Sequence, residues 1–220
     1  MIYSNNAKPL EQESSANEGP SAKKLLSDLA LFPLKTVLFP DGPLTLKVFE
    51  PRYLDMLAQC EKTGNGFGIC LISEGSEVGK APGIYPVGTL VQITFWEHRK
   101  DGLLGVSVKG EQKFRVSQKQ VQNNELTIAD VELIDMEPVQ AVPEQYQSMV
   151  VVLEKIFESL QHPYITLPKK YDDATWVGSR LSELLPLPLI KKQQLLELDE
   201  PMGRLAMLYD EMLTMGVLSE

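Results

Sequence analysis

The stretch EGPSAKKL, residues 18–25, holds the side chains whose types could support covalent chemistry. Ser21 precedes Lys23 by two residues, and a serine nucleophile needs a base within hydrogen-bond reach. It also needs oxyanion donors on a rigid scaffold. The surrounding residues are polar and define no buried face. We therefore interpret the Gly-Pro-Ser-Ala segment as a chance tetrapeptide, with Ser21 or Ser27 as an alternative cap of a short helix over residues 22–26.

Three glycines in the stretch TGNGFG, Gly64, Gly66 and Gly68, raise the question of a phosphate-binding loop. The sequence contains no Gly-x-x-x-x-Gly-Lys-Ser/Thr loop to hold phosphates. No Gly-x-Gly-x-x-Gly between a strand and a helix can be assembled from these residues either. We interpret the stretch as a turn that enters a strand, where glycine permits close packing.

Metal ligands are few, because the chain has only two histidines, His98 and His162, and two cysteines, Cys60 and Cys70. The cysteine spacing does not fit a zinc knuckle. Small buried hydrophobic roles are more common for such cysteines than ligation. We therefore predict no catalytic residue, no metal site and no cofactor.

Two short segments contain candidate partner-binding residues. In FEPRY, Arg52 and Tyr53 could face a partner, since both residue types are favoured interface anchors. The alternative is that Arg52 pairs with Glu50 at a strand-to-helix corner while Tyr53 fills the core. Phe95 and Trp96 are adjacent in a predicted strand, so one of them should point outward. That aromatic side chain would either bind a peptide or pack beneath the helical half.

The composition is that of a globular protein, with 220 residues, 43% hydrophobic positions and a formal net charge of -9. This charge disfavours nucleic acids and anionic membranes, because neutralised phosphates supply most non-specific affinity. The N-terminus carries no secretory signal pattern, and no apolar run reaches bilayer-spanning length. With only two cysteines, we expect a cytoplasmic protein in a reducing compartment.

Hydrophobic periodicity divides the chain into a flexible tail over residues 1–27, a β-rich part over 28–137 and a helical part over 138–220. In the β-rich part, one short helix follows Pro51. Later strands are predicted at residues 67–73, 87–98, 102–110, 112–121 and 125–134.

Helical spacing begins after Pro143 and is predicted to stop at His162 and Pro163. Further helices are expected over residues 173–185, 189–198 and 200–215, the last one capped by Asp199 and closed by Gly216. The expected fold class is α+β, with a β lobe followed by a helical lobe.

The stretch LFPLKTVLFPDGPLTLKVFEPRYLDML, residues 31–57, is similar to the opening of the Lon protease N-terminal, or substrate-binding, domain. GFGICLI, VGTLVQI and DGLLGVSVKGEQKFRV follow in the order of that family. The stretch LSELLPLPLIKKQQLLELDEPMGRLAMLYDEM resembles its closing helices. The resemblance covers about residues 29–215. It implies a standalone domain without the ATPase and protease modules, whose β lobe is a PUA-like pseudo-barrel.

The resemblance implies a non-enzymatic module that recognises unfolded or specific protein or peptide segments. Adaptor, decoy and regulator roles in proteolysis are all compatible with it. Extended peptides could add to an exposed sheet edge or lie between the lobes. The alternative is a PUA-like RNA-binding protein, although the basic residues are scattered and form no stripe. A small-molecule pocket is a weaker alternative, and homo-oligomerisation stays open.

Overall fold

The computed structural model describes residues 24–98 and 103–218. Within these ranges the chain forms six strands and five α-helices, so the fold is mixed α+β as expected. The strands are β1 (Leu25–Leu34), β2 (Pro43–Val48), β3 (Phe67–Glu74), β4 (Gly83–His98), β5 (Leu104–Val121) and β6 (Thr127–Leu133). The helices are α1 (Pro51–Thr63), α2 (Gln147–Ser159), α3 (Ala174–Leu184), α4 (Leu189–Glu197) and α5 (Pro201–Thr214).

The strands form one sheet in the order β2-β5-β4-β3-β1-β6, and β5 also pairs with β6. The sheet therefore closes on itself through β5, while β2 stays outside the ring and pairs with β5 only. The sequence predicted two strands for residues 102–110 and 112–121, which was wrong. They are one 18-residue strand, because its ladder with β4 continues from His98↔Leu104 to Val87↔Arg115.

The start of β1 corrects the predicted tail boundary. The strand begins at Leu25, which pairs with Glu132 of β6, so residues 25–27 belong to the sheet. The alternative helix over residues 22–26 was also wrong in the part that the structure describes. Pairing with the distant strand β6 supplies the backbone hydrogen bonds of this stretch, and such pairing is not specified by the local sequence. Ser21 and Lys23 lie outside the described residues.

The helix predicted after Pro51 is confirmed as α1, with this proline in its first turn. It ends at Gly64, whose left-handed φ of 70° suits glycine, and the Gly64 N–H donates to the Cys60 carbonyl oxygen. A Cβ placed on Gly66 would lie 2.0 Å from the Val91 carbonyl oxygen. The glycine-rich stretch is therefore a turn followed by a close strand approach, as predicted.

The helices α2 to α5 follow the strands and pack around one apolar cluster that includes Leu153, Trp176 and Leu205. Asp173 caps α3 by accepting from the Thr175 N–H at 3.0 Å. The predicted cap of α5 was wrong. Glu200 occupies that position without a side-chain cap, because the Asp199 carboxylate instead accepts from Lys113 of β5. Within the described ranges, no helix is both long and apolar enough to cross a bilayer.

Candidate functional site

Arg52 and Tyr53 lie inside the molecule, where they join α1 to the sheet. Arg52 Nη1 donates to the Glu125 carbonyl oxygen at 2.8 Å, and its Nη2 lies 3.0 Å from a Glu50 carboxylate oxygen. The guanidinium also sits 4.5 Å from the centre of the Tyr53 ring. That ring packs against Phe32 at a centroid distance of 4.0 Å, and burial raises the pKa of its hydroxyl. These contacts match the corner-and-core interpretation, and both side chains are buried.

Phe95 is the outward-facing aromatic of the second candidate pair, with 62% of its surface exposed. Trp96 is half-buried and packs against the sheet core. The strand alternation is broken by a bulge between Ile93 and Phe95, so Thr94 and Phe95 are both exposed. The Thr94 hydroxyl donates to the Ser107 carbonyl oxygen at 3.1 Å, which holds the bulge in place.

Phe95 lies in a groove of about 440 Å³ between the sheet and the segment that follows α2; we name it the Phe95 groove. The sheet wall comes from β2, β4 and β5, and the opposite wall from residues 162–168. Its apolar lining residues are Pro43, Phe95, Val108, Pro163, Leu167 and Pro168. The polar residues Thr94, Ser107, Lys109, His162 and Thr166 complete it. The place of the 162–168 wall opposite Phe95 was not predicted, although Pro163 and Pro168 indicated an irregular, solvent-facing segment.

A shared carboxylate, Asp41, connects the sheet to the segment at one side of this groove. Its two oxygens bind Lys109 at 2.7 Å and Lys170 at 2.8 Å. Burial alone would raise the pKa of Asp41, but the two ammonium groups hold it below its usual range. Lys109 extends from β5 and Lys170 from the chain before α3, so the ion pairs link the sheet wall to the chain just beyond the 162–168 wall.

Glu183 on α3 fastens the helices to the loop after β1. One carboxylate oxygen accepts from the Phe39 N–H at 2.8 Å, and the other lies 3.1 Å from Arg180 Nε. Arg180 in turn donates to the Pro40 carbonyl oxygen at 2.8 Å. Full burial raises the pKa of Glu183 to about 7, against the opposing effects of Arg180, the Phe39 N–H and Lys192.

A second buried network joins β5, the chain after β6 and α5. Arg204 donates from both terminal nitrogens to the Glu137 carboxylate, at 2.6 and 2.5 Å. Lys113 lies 2.9 Å from the same carboxylate and donates to the Leu198 carbonyl oxygen. Burial would raise the pKa of Glu137, but the two cations lower it. The first network ties α3 to the loop after β1, and the second ties α5 to β5, a strand that also contributes to the sheet wall of the Phe95 groove.

Both cysteines of the chain lie in its described part, away from solvent. Cys60 and Cys70 are free and buried, and burial raises the pKa of the Cys70 thiol to about 12. That sulfur stays protonated near neutrality and is a poor nucleophile. No group of histidine, cysteine and acidic side chains in residues 24–98 and 103–218 could hold a metal ion. The Phe95 groove, in contrast, offers apolar contacts and backbone groups for binding.

Comparison with known proteins relates most of the chain to one family. The model of the ATP-dependent protease La (LON) substrate-binding domain matches residues 28–214. The crystal structure of a Lon N-terminal domain protein from Xanthomonas campestris has 34% sequence identity and a TM-score of 0.70. That match covers 84% of this chain and 98% of the other.

A more distant structure, the N-terminal domain of the Lon protease of the Mycobacterium avium complex, has 18% identity and a TM-score of 0.53. The match covers 85% of this chain and 97% of the other. At this identity the likeness concerns the fold alone.

Proposed function

The chain belongs to the Lon substrate-binding domain family, and from this premise we propose that it is a non-catalytic module that recognises unfolded or specific protein segments. The role in proteolysis that we propose is that of an adaptor or regulator, which presents or withholds the bound segment. The observation that carries this proposal is the Phe95 groove, an apolar depression with an exposed aromatic side chain.

The groove suits a short apolar stretch of polypeptide. Phe95 and Leu167 stand on opposite walls, so an apolar side chain between them would lose its water on both sides. Ser107 and Lys109 offer donors at the border for carbonyl groups of the bound chain. An exposed apolar patch bordered by polar residues is typical of an interaction site, and aromatic side chains are favoured anchors there.

Binding is tested with fluorescently labelled, reduced and carboxymethylated lactalbumin, whose anisotropy reports complex formation with the purified chain. We expect Phe95→Ala to weaken binding by about tenfold, in the range found for buried aromatic contacts. Ile190→Ala is the matched control, because this exposed side chain lies on α4, away from the groove. Equal affinity of the wild type and Phe95→Ala for lactalbumin would show that the Phe95 groove is not the binding site.

The same sample is then incubated with casein, with and without ATP and magnesium. We expect no cleavage, and no change when Ser21 is replaced by alanine. Cleavage that Ser21→Ala abolishes would contradict the non-catalytic role. A single-stranded RNA oligonucleotide serves as the competitor, and displacement of the lactalbumin by RNA would favour the RNA-binding alternative.

A further inference from the structure

The outer edge of β2 has backbone groups that the sheet does not use. The Gly110 N–H donates to the Gly42 carbonyl oxygen at 2.8 Å, and the register continues as Leu44↔Val108 and Leu46↔Val106. Hydrogen-bonded pairs alternate with non-bonded pairs along an antiparallel ladder. The N–H and C=O groups of every second β2 residue therefore point away from β5. The residues concerned are Thr45 and Lys47.

Nothing in the described ranges pairs with this edge. The Thr45 hydroxyl reaches Ser107 across the ladder at 3.3 Å, but its backbone groups and those of Lys47 have no partner in residues 24–98 and 103–218. Their spacing along the strand, about 6.8 Å, is the repeat of an extended backbone. Two donors and two acceptors are thus arranged for another strand.

A groove of about 260 Å³ runs beside this edge; we name it the β2-edge groove. Its far wall is Phe32 and Leu34 of β1, beyond Leu31, the last β1 residue that pairs with β6. Two exposed apolar side chains border it, Phe49 at 53% and Val78 at 56% exposure. The sheet is therefore open between β1 and β2, and apolar surface lines the opening.

Carboxylates hold the loop that carries Val78 at the groove. Glu77 accepts from the Lys35 N–H at 2.5 Å, and Glu125 accepts from the Ala81 N–H at 3.0 Å. The Gly79 N–H reaches the Glu50 carboxylate at 3.5 Å. These bonds anchor the loop to three separate parts of the β lobe, so the groove keeps its apolar border.

We propose that the β2 edge takes up an extended polypeptide segment as an additional antiparallel or parallel strand. This rests on the proposed function and names its ligand class: a basic, extended segment with apolar side chains in alternation. Backbone pairing would supply most of the affinity, which makes the recognition tolerant of sequence. The apolar side chains on one face of the segment would contact Phe49 and Val78.

The charges argue for a separate segment and against a second copy of this chain. Lys47 stands exposed on the edge, and lysine on an edge strand disfavours pairing between copies. The net charge of -9 opposes self-association and attracts basic segments. An extended segment of net positive charge, with apolar side chains in alternation, is therefore the ligand that the charges favour.

The test uses hydrogen exchange measured by NMR, with a synthetic peptide of alternating valine and threonine and a lysine at each end. We expect the Thr45 and Lys47 amides to exchange about tenfold more slowly when the peptide is bound, since each gains a hydrogen bond. The Leu44 and Leu46 amides, already bonded to β5, should change less. Peptide binding without slower exchange at Thr45 and Lys47 would overturn the β2-edge proposal while leaving the proposed function intact.

A peptide N-methylated at alternate residues tests the same idea without altering the protein. Methylation of the amides that face β2 should weaken binding by about tenfold, whereas methylation of the other set should have a smaller effect. An equal loss of affinity from methylation of either set of amides would contradict the addition of the peptide as a strand. Absence of binding by the peptide and by unfolded lactalbumin together would count against the proposed function itself.

Lys47→Pro blocks the edge from the protein side. Proline removes only an N–H that points away from β5, so the β2–β5 ladder keeps its bonds. We expect peptide binding to fall by about tenfold, and the matched control Lys47→Ala, which retains the N–H, to bind like the wild type. Full binding by a folded Lys47→Pro variant would overturn the proposal.

Discussion

The two open grooves and the two buried ion-pair networks use opposite physical chemistry. At the grooves, apolar side chains such as Phe95 and Phe49 stay in contact with water, and the β2 backbone has unused bonds. At the junction between the sheet and the helices, the carboxyl groups of Glu137 and Glu183 are removed from water and paired with arginine side chains. The grooves leave apolar surface and backbone groups available for a ligand, whereas the networks hold the helices against the sheet and the loop after β1.

Removal of one partner from the Glu137 network should give the largest effect. Arg204→Met leaves the buried Glu137 carboxylate with only Lys113, so we expect a loss of about 3–5 kcal/mol in the free energy of unfolding. Urea denaturation followed by circular dichroism measures it. The comparison variant Phe95→Ala should lose less than about 0.5 kcal/mol, because its side chain is exposed. Similar losses of stability for Arg204→Met and Phe95→Ala would contradict the distinction between the buried network and the open groove.

The Glu183 network should show an intermediate effect that depends on pH. The folded-state pKa of about 7 lies above the ordinary value of 4.5, so the folded protein retains a proton that the unfolded chain releases between these values. The contribution of Glu183 to stability therefore decreases as pH rises from 4.5 to about 7. Arg180 and Lys192 oppose the rise in the pKa of Glu183, and the Tyr164 hydroxyl also interacts electrostatically with this carboxyl.

Glu183→Gln tests whether the contribution of Glu183 to stability decreases as pH rises, because glutamine keeps a neutral group of similar shape. We expect the free energy of unfolding to fall less steeply for the variant than for the wild type between about pH 5 and about pH 7. Asp41 and Glu137 have lowered pKa values, so their contributions are lost only at more acidic pH. A steeper fall for Glu183→Gln would contradict the assignment.

The exposed bridge at Asp41 should give the smallest effect. Lys170 is half-exposed, so Lys170→Ala should cost between about 0 and 1 kcal/mol of stability, and less at high salt. Urea denaturation at two sodium chloride concentrations measures it. A loss of stability as large as that of Arg204→Met would contradict this expectation and show that the Asp41 ion pair contributes as much as the buried networks.

The candidate residues show how far local sequence patterns reach. The pattern Phe-Glu-Pro-Arg-Tyr predicts where α1 begins, because the proline preference acts within one helical turn. The burial of Arg52 depends on the Glu125 carbonyl, 73 residues away in sequence. Alternation predicts that one of Phe95 and Trp96 faces outward, but the bulge decides that it is Phe95. Phe49 was overlooked, although alternation from Val48 places it outward.

The sequence by itself determined the helices, most of the strands and the family, since apolar periodicity, prolines and glycines act over a few residues. Only the tertiary structure decided that residues 104–121 form one strand, that Asp199 binds Lys113, and that the 162–168 segment faces Phe95. The Phe39–Glu183 bond spans 144 residues. Such contacts depend on how the whole chain closes, because distant groups meet only after the sheet and the helices have packed together.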